Sequence, residues 1–190
     1  MHPSLNPSRA AALLVILAAC ASHTSHRYQD ANMDFGSVKT VAVVPFTNLS
    51  RDNLAGDRVR DVFANALLST GAVYVLPQGE VIRGLGKVGV ASPTAPSVDE
   101  VVKLGQTLKA DAVITGVVKE YGDVRSGTAS ANVISLSIQM QETATGKVVF
   151  AGSTTKGGIR FRDRLLGGGG EPINDVTEAA VNDLIDKLLK

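Results

Sequence analysis

Residues 10–19 form an unbroken apolar run, preceded by a short segment whose one fixed cation is Arg9 and followed by Cys20. A weakly positive start, a short apolar stretch and small residues (Ala18, Ala19) at its end make an export signal. The run is far short of the roughly 18–20 apolar residues that a membrane-spanning helix needs. Whatever folds must be built from the rest of the chain, outside the cytoplasm. Cys20 is the only cysteine in the sequence. No internal disulfide can form, although an oxidising compartment would permit one. The fold has to be held by packing alone.

Leu17-Ala18-Ala19-Cys20 resembles a bacterial lipobox. The resemblance implies cleavage before Cys20, with acylation of its sulfur and of the new amino terminus. Each buried methylene contributes about 0.8 kcal/mol, and two anchoring signals already hold a protein stably at a bilayer. The three acyl chains that such lipoproteins carry would keep the mature chain at its membrane. Ala21 and Ser22 follow the cysteine, where an aspartate would signal inner-membrane retention. Its absence implies the outer membrane, with the protein on the periplasmic face.

Removing residues 1–19 takes away Arg9 and no acid, so the 19 basic and 18 acidic side chains come to parity. A neutral domain offers no electrostatic footing for nucleic acid, which requires a basic patch. The remaining length suits one domain, read here as residues 37–190. Such a chain buries roughly two thirds of its unfolded surface. With five Phe, three Tyr and no Trp, its core must be made of Val, Ile, Leu and Ala.

Residues 20–36 are polar and lack periodicity, which reads as a flexible tether between anchor and domain. Residues 38–46 are β-branched and almost continuously apolar, as in a strand covered on both faces. Val59, Val62, Phe63, Ala66 and Leu67 make an apolar stripe on a helix over residues 56–70, with Asp57, Arg58, Arg60 and Asp61 on its wet side. Residues 72–76 form a second strand. Strand, helix and strand over this span predict a right-handed crossover between parallel strands. A short helix over 78–85, a proline-bearing loop over 88–97 and a helix over 98–109 lead to a strand at 111–121. Residues 122–131 read as a polar turn.

From residue 132 to 142 apolar and polar residues alternate, with one shift of phase between Val133 and Leu136 that predicts a bulge. Thr143-Ala144-Thr145-Gly146 is a hairpin turn, after which residues 147–153 pair back. Residues 154–171 hold the run Gly167-Gly168-Gly169-Gly170 and read as a loop. Ile173, Val176, Ala180, Val181, Leu184, Ile185 and Leu188 then mark a final helix. The sum is an α/β fold, a mixed sheet of about five strands packed by helices.

Chemistry finds little to use. The three histidines are His2, His23 and His26, and none follows them. Ser-His-Asp and Cys-His arrangements are therefore out of reach, as are metal sites built from imidazole or thiolate. His23 and His26 lie at i, i+3, but two ligands fall short of the three or four a stable site requires. Asp52, Asp57 and Asp61 lie at a helix start, where acids suit the helix dipole. Gly84-Leu85-Gly86-Lys87-Val88-Gly89 fits G-x-G-x-x-G, yet a dinucleotide site needs it directly after a strand and opening a helix. Gly146-Lys147 lacks the rest of a phosphate loop. Arg160, Phe161, Arg162 and Arg164 form a basic cluster that suits a solvated loop, a subunit contact or an anionic lipid surface. The expectation is a protein that is not an enzyme and needs no cofactor or metal.

Four segments resemble the CsgG family, whose namesake is the outer-membrane curli secretion channel. They are Val41-Ala42-Val43-Val44-Pro45-Phe46-Thr47-Asn48-Leu49-Ser50, Leu67-Leu68-Ser69-Thr70-Gly71, Lys109-Ala110-Asp111-Ala112-Val113-Ile114-Thr115-Gly116, and Glu142-Thr143-Ala144-Thr145-Gly146-Lys147-Val148-Val149-Phe150. The resemblance implies a periplasmic α/β domain able to assemble in homo-oligomeric rings and to meet other envelope proteins. The channel-forming member inserts two long hairpins per subunit, at positions matching residues 122–131 and 154–170. A barrel strand takes about 9–11 residues with apolar side chains outward. The first segment is short and polar; the second carries Arg160, Arg162, Asp163 and Arg164. The chain therefore reads as an assembly or secretion accessory without its own barrel. A more distant resemblance to LpoB-type lipoproteins implies an alternative, a module that activates a peptidoglycan synthase.

Overall fold

The computed structural model describes residues 26–127, 129–158 and 170–190. Cys20, His23, the cluster from Arg160 to Arg164, and Gly167 to Gly169 lie outside the described residues. The strands are β1 (Arg27–Gln29), β2 (Thr40–Val43), β3 (Thr47–Asn48), β4 (Tyr74–Val75), β5 (Ala112–Ser126), β6 (Ala129–Glu142) and β7 (Val148–Gly157). The helices are α1 (Ala55–Ser69), α2 (Gln78–Val88), α3 (Val98–Leu108) and α4 (Ile173–Leu189), with one 3-10 turn at Phe35–Ser37.

The fold is α/β, and its one mixed sheet runs in the order β1-β7-β6-β5-β2-β4, with β3 added alongside β5. Among the described residues that makes a 7-stranded sheet, where the sequence suggested about five strands. The two additional strands are β1 and β3, too short and too polar to show a hydrophobic pattern.

β2 is parallel to β4 on one side and to β5 on the other. The parallel pairing of these strands read from the sequence is therefore present. Alternation along β2 sends Val41 and Val43 to one core and Ala42 and Val44 to another, which is why the run is apolar throughout. The larger core joins β2 to Phe63 and Leu67 of α1, Ile134, Leu136 and Ile138 of β6, Phe150 of β7 and Leu184 of α4. The smaller core joins β2 to Val81 and Leu85 of α2 and to Val101 and Leu104 of α3. Helices thus cover both faces of the parallel half of the sheet. Over the antiparallel half, the described helices α1 and α4 cover one face.

Within the segment read as flexible tether, Arg27 to Gln29 are part of the sheet. β1 pairs antiparallel with β7, Arg27 opposite Gly152 and Gln29 opposite Phe150. Backbone bonds from Ser153 N–H to His26 O (3.1 Å) and from Asp30 N–H to Val149 O (2.9 Å) extend the pairing. All three β1 side chains are exposed. Nothing in their polarity could announce a strand that is held by its backbone alone.

Residues 122–131, read as a turn, are mostly paired backbone. β5 and β6 remain in register out to Ser126 opposite Ala129, so the hairpin is a long two-stranded arm. Its outer part carries Asp123 and Arg125, which form an ion pair at 2.9 Å. The irregularity expected in β6 lies opposite, in β5. Val118 pairs with Leu136 and Glu120 with Ser135, leaving Lys119 as the extra residue.

α4 is tied to β7 through Asp183. Lys156 reaches its carboxylate at 3.1 Å, Lys187 bonds it from one helical turn away, and Lys187 also donates to Ser153 O at 3.1 Å. Partial burial pushes the Asp183 carboxyl up, but hydrogen bonds from Lys187, Thr154 and Lys156 outweigh it and hold the pKa at about 2, against an ordinary 3.8. The folded state thus keeps a carboxylate that the unfolded chain protonates first. Its contribution is complete above about pH 4 and is lost as pH falls toward 2. Asp183→Asn is expected to cost about 2 kcal/mol at pH 7, with the deficit shrinking between pH 4 and 2. Urea unfolding of both proteins at pH 7, 4 and 2 checks it; an equal deficit at every pH would contradict the linkage.

Candidate functional site

The carboxylates considered for chemistry are each occupied locally or stand alone. Asp52 Oδ1 accepts from Leu54 N–H at 2.9 Å and its Oδ2 pairs with Arg58 at 2.9 Å, holding the entry to α1. Asp57 lies exposed in the first turn of α1, and Asp61 pairs with Arg60. Asp111, flanking β5, accepts from Lys39 N–H and Thr40 N–H, both at 2.8 Å, and so fixes the start of β2. Among the described residues, no three His, Cys, Asp or Glu side chains converge as a metal site.

The glycine motif has a packing role. Gly84 lies within α2, where a Cβ would come 2.6 Å from Leu108 Cδ2. Gly89 ends α2 in the left-handed conformation, its N–H bonded to Leu85 O at 3.0 Å. The motif closes a helix instead of opening one, so it presents no helix N-terminus to a phosphate.

What remains is surface. At the carboxyl end of β3 a groove of about 710 Å³ opens between the arm and the loop before α1. Arg51, Lys119 and Arg125 line it together with Asp52, Glu120 and Asp123, so its charges balance. The loop is fixed by Asn48, whose Nδ2 donates to Asp52 O at 2.7 Å while its Oδ1 accepts from Ser50 N–H at 3.0 Å. This rigid, polar ledge fits protein contact better than capture of a small apolar ligand. On the face of the antiparallel half that no described helix covers, Ser137 and Gln139 of β6 lie beside Ser153 and Ala151 of β7, and Tyr28 of β1 continues the row.

One buried group was missed from sequence. Arg60, assigned to the wet side of α1, is 3% exposed. It lies three residues before Phe63 and seven before Leu67, so the helical spacing does place it on the buried stripe. Its charge alone argued for solvent. It borders a cavity of about 460 Å³ between the end of α1 and β4.

The sequence pattern of the GNA1162-like lipoproteins matches residues 28–189. The chain belongs to the GNA1162-like lipoprotein family. The matched span begins inside β1 and ends with α4, so the edge strand that the sequence concealed is part of the family domain. No curated protein sequence matches the chain. Among solved structures, the dodecamer of a PelC variant from Paraburkholderia phytofirmans is similar at 17% identity and a TM-score of 0.59, over 87% of this chain and 97% of that one. Lipoprotein GNA1162 from Neisseria meningitidis is similar at 21% identity and a TM-score of 0.56, over 80% and 98% of the two chains. At these identities the likeness establishes the fold. The LpoB C-terminal domain from Salmonella enterica, at 14% identity and a TM-score of 0.49 over 66% and 86%, is too distant to carry a functional argument. The GNA1162-like domain described here is therefore a lipoprotein-family domain.

Proposed function

We propose that the chain is a non-enzymatic lipoprotein, anchored by acyl chains on Cys20 to the periplasmic face of the outer membrane, that scaffolds an assembly or secretion complex of the envelope as a homo-oligomeric ring. The observation that carries the ring is the fold shared with a protein solved as a dodecamer, across 87% of this chain and 97% of that one. The absence of catalysis rests on the sequence itself. Every histidine and the one cysteine precede residue 28, where the family span begins. A lipid-held body whose family span carries neither histidine nor cysteine acts through what it touches. The CsgG-like reading agrees with this role. The described arm carries Asp123 and Arg125 in its outer part, and charges of this kind cost about 2–4 kcal/mol each if turned to lipid at mid-bilayer. The scaffold is accordingly proposed to work without a barrel of its own.

The test is mass in solution. Acylated protein in mild detergent, run by size exclusion with light scattering, is expected to show a closed oligomer of defined mass. A monomer that persists at high protein concentration would remove the ring. Conductance in planar bilayers from the protein alone would remove the claim that it forms no pore.

A further inference from the structure

We infer that the cavity between the carboxyl ends of α1 and α4 binds a single-chain anionic lipid, its acyl chain laid inside and its head group held by Lys39. The cavity measures about 360 Å³. Half-buried Phe35 and Val73 and the exposed Leu189 form an apolar rim. Beneath them Val38, Met140 and Leu188 are nearly covered, and Leu67 closes the back. Gln29 of β1 and Val41 of β2 both border the space, although β7, β6 and β5 stand between those strands. Four strand spacings come to about 19 Å. A modest volume drawn out across such a breadth is long and narrow. An acyl chain extended through half of a bilayer's hydrocarbon core covers about 15 Å, which suits that shape.

The polar groups select the rest of the ligand. Among the described residues, the buried side-chain atoms without a partner are Arg60 Nε and Gln141 Oε1, and neither residue lines this cavity. The enclosed part of a ligand therefore meets no group that needs a hydrogen bond. It has to be apolar, and any polar end has to stay at the rim. A peptide fits poorly, because β2 is paired on both sides, with β4 and with β5, and offers no strand edge. Two lysines stand at the rim. Lys190 is paired with Asp186 at 3.0 Å. Lys39 is exposed, and its ammonium has no ion-pair partner among the described residues. Asp111 accepts the backbone N–H of Lys39 at 2.8 Å and leaves the side chain free. One free ammonium beside an apolar slot recognises a carboxylate or phosphate carried on a hydrocarbon chain. Acyl groups joined to Cys20 would bring no free anion to Lys39, so the cation points to a separate lipid molecule.

The probes are dodecanoic acid and 1-dodecanol, the same chain without a charge, titrated by calorimetry into the full chain carrying Cys20→Ser, which needs no competing detergent. The acid is expected to bind saturably, one per chain, and about tenfold more tightly than the alcohol, the ratio worth one charge-assisted bond. Each methylene removed from the acid should weaken binding about fourfold. Lys39→Gln should make acid and alcohol equal. Leu189→Glu, an exposed change at the rim, should weaken both about tenfold. In a second arm, acylated full chain in phosphatidylethanolamine vesicles receives a palmitic acid bearing a photoreactive diazirine. The label is expected on peptides containing Phe35 or Leu189. No saturable binding, equal binding of acid and alcohol by the parent chain, or a Lys39→Gln protein that still prefers the acid overturns the inference. If the Cys20→Ser chain binds the acid but the acylated chain takes no label at Phe35 or Leu189, the chain's own acyl group fills the cavity. That result also overturns the inference, while the proposed anchor stands. Neither arm reads oligomer mass, so failure of the ring would be seen separately.

Discussion

Replacing Cys20 by Ser moves the protein from the membrane fraction to the soluble periplasmic fraction: that is the largest effect expected of any single change. No helix among the described residues is long and apolar enough to cross a membrane. The proposed hold is the acyl group set on Cys20. A single myristoyl-length chain gives only marginal, reversible attachment, and each further methylene contributes about 0.8 kcal/mol. Taking away the acylated residue removes all of that at once, while the domain from Arg27 onward keeps every described contact. Fractionation of cells expressing the variant, with unfolding of the released protein as a control, measures both halves of the statement. Membrane retention of a normally folded Cys20→Ser protein would mean that some other surface binds lipid.

Gly105→Val is expected to give the largest loss of stability. Gly105 sits in the middle of α3, where glycine ordinarily costs about 1 kcal/mol relative to alanine. It is retained because α3 lies directly on Thr143. A Cβ at position 105 would stand 2.3 Å from Thr143 Cβ and 2.7 Å from its Oγ1. Thr143 has nowhere to go: its hydroxyl donates to Ala110 O at 2.6 Å and contacts Asp111 O at 3.0 Å, joining the β6–β7 turn to the start of β5. The helix must therefore lift away from the sheet or the turn must break. Overpacking of this kind costs about 1–3 kcal/mol, and losing the buried Thr143 bonds adds about 1–3 kcal/mol more. Urea unfolding at pH 7 should show a loss of at least about 2 kcal/mol for Gly105→Val, and Gly105→Ala should lose less. A neutral Ala variant would mean that α3 can slide without cost.

Where the sequence could be read, the reason was packing geometry. β2 is apolar on consecutive residues because helices press on both its faces, and α1 and α4 show their stripes because each has one dry side. The same logic failed where burial and polarity part company. β1 joins the sheet with three exposed side chains, so its membership is carried by backbone bonds that no side-chain pattern records. Arg60 occupies a stripe position that its charge disguised. Lys119 is a bulge residue in β5, but the break in alternation surfaced in its partner strand, where it was assigned to Val133 and Leu136. The arm beyond Tyr121 looked like a turn because a two-stranded ribbon in water needs no apolar face. The interaction surfaces were hidden for the same reason: grooves depend on which elements meet, and local periodicity does not encode that.

The short strands at the two sides of the sheet have a further consequence. β5, β6 and β7 are long enough to template another chain, yet the sheet finishes on three residues at one side and two at the other. Molecules tied by lipid to one surface are crowded into two dimensions, where chance collisions edge to edge are frequent. Stubby borders deprive such collisions of the long ladder that would make them permanent. A variant in which Tyr28 is replaced by Pro, freeing the flank of β7, should lay down fibrils on the membrane that the parent protein does not.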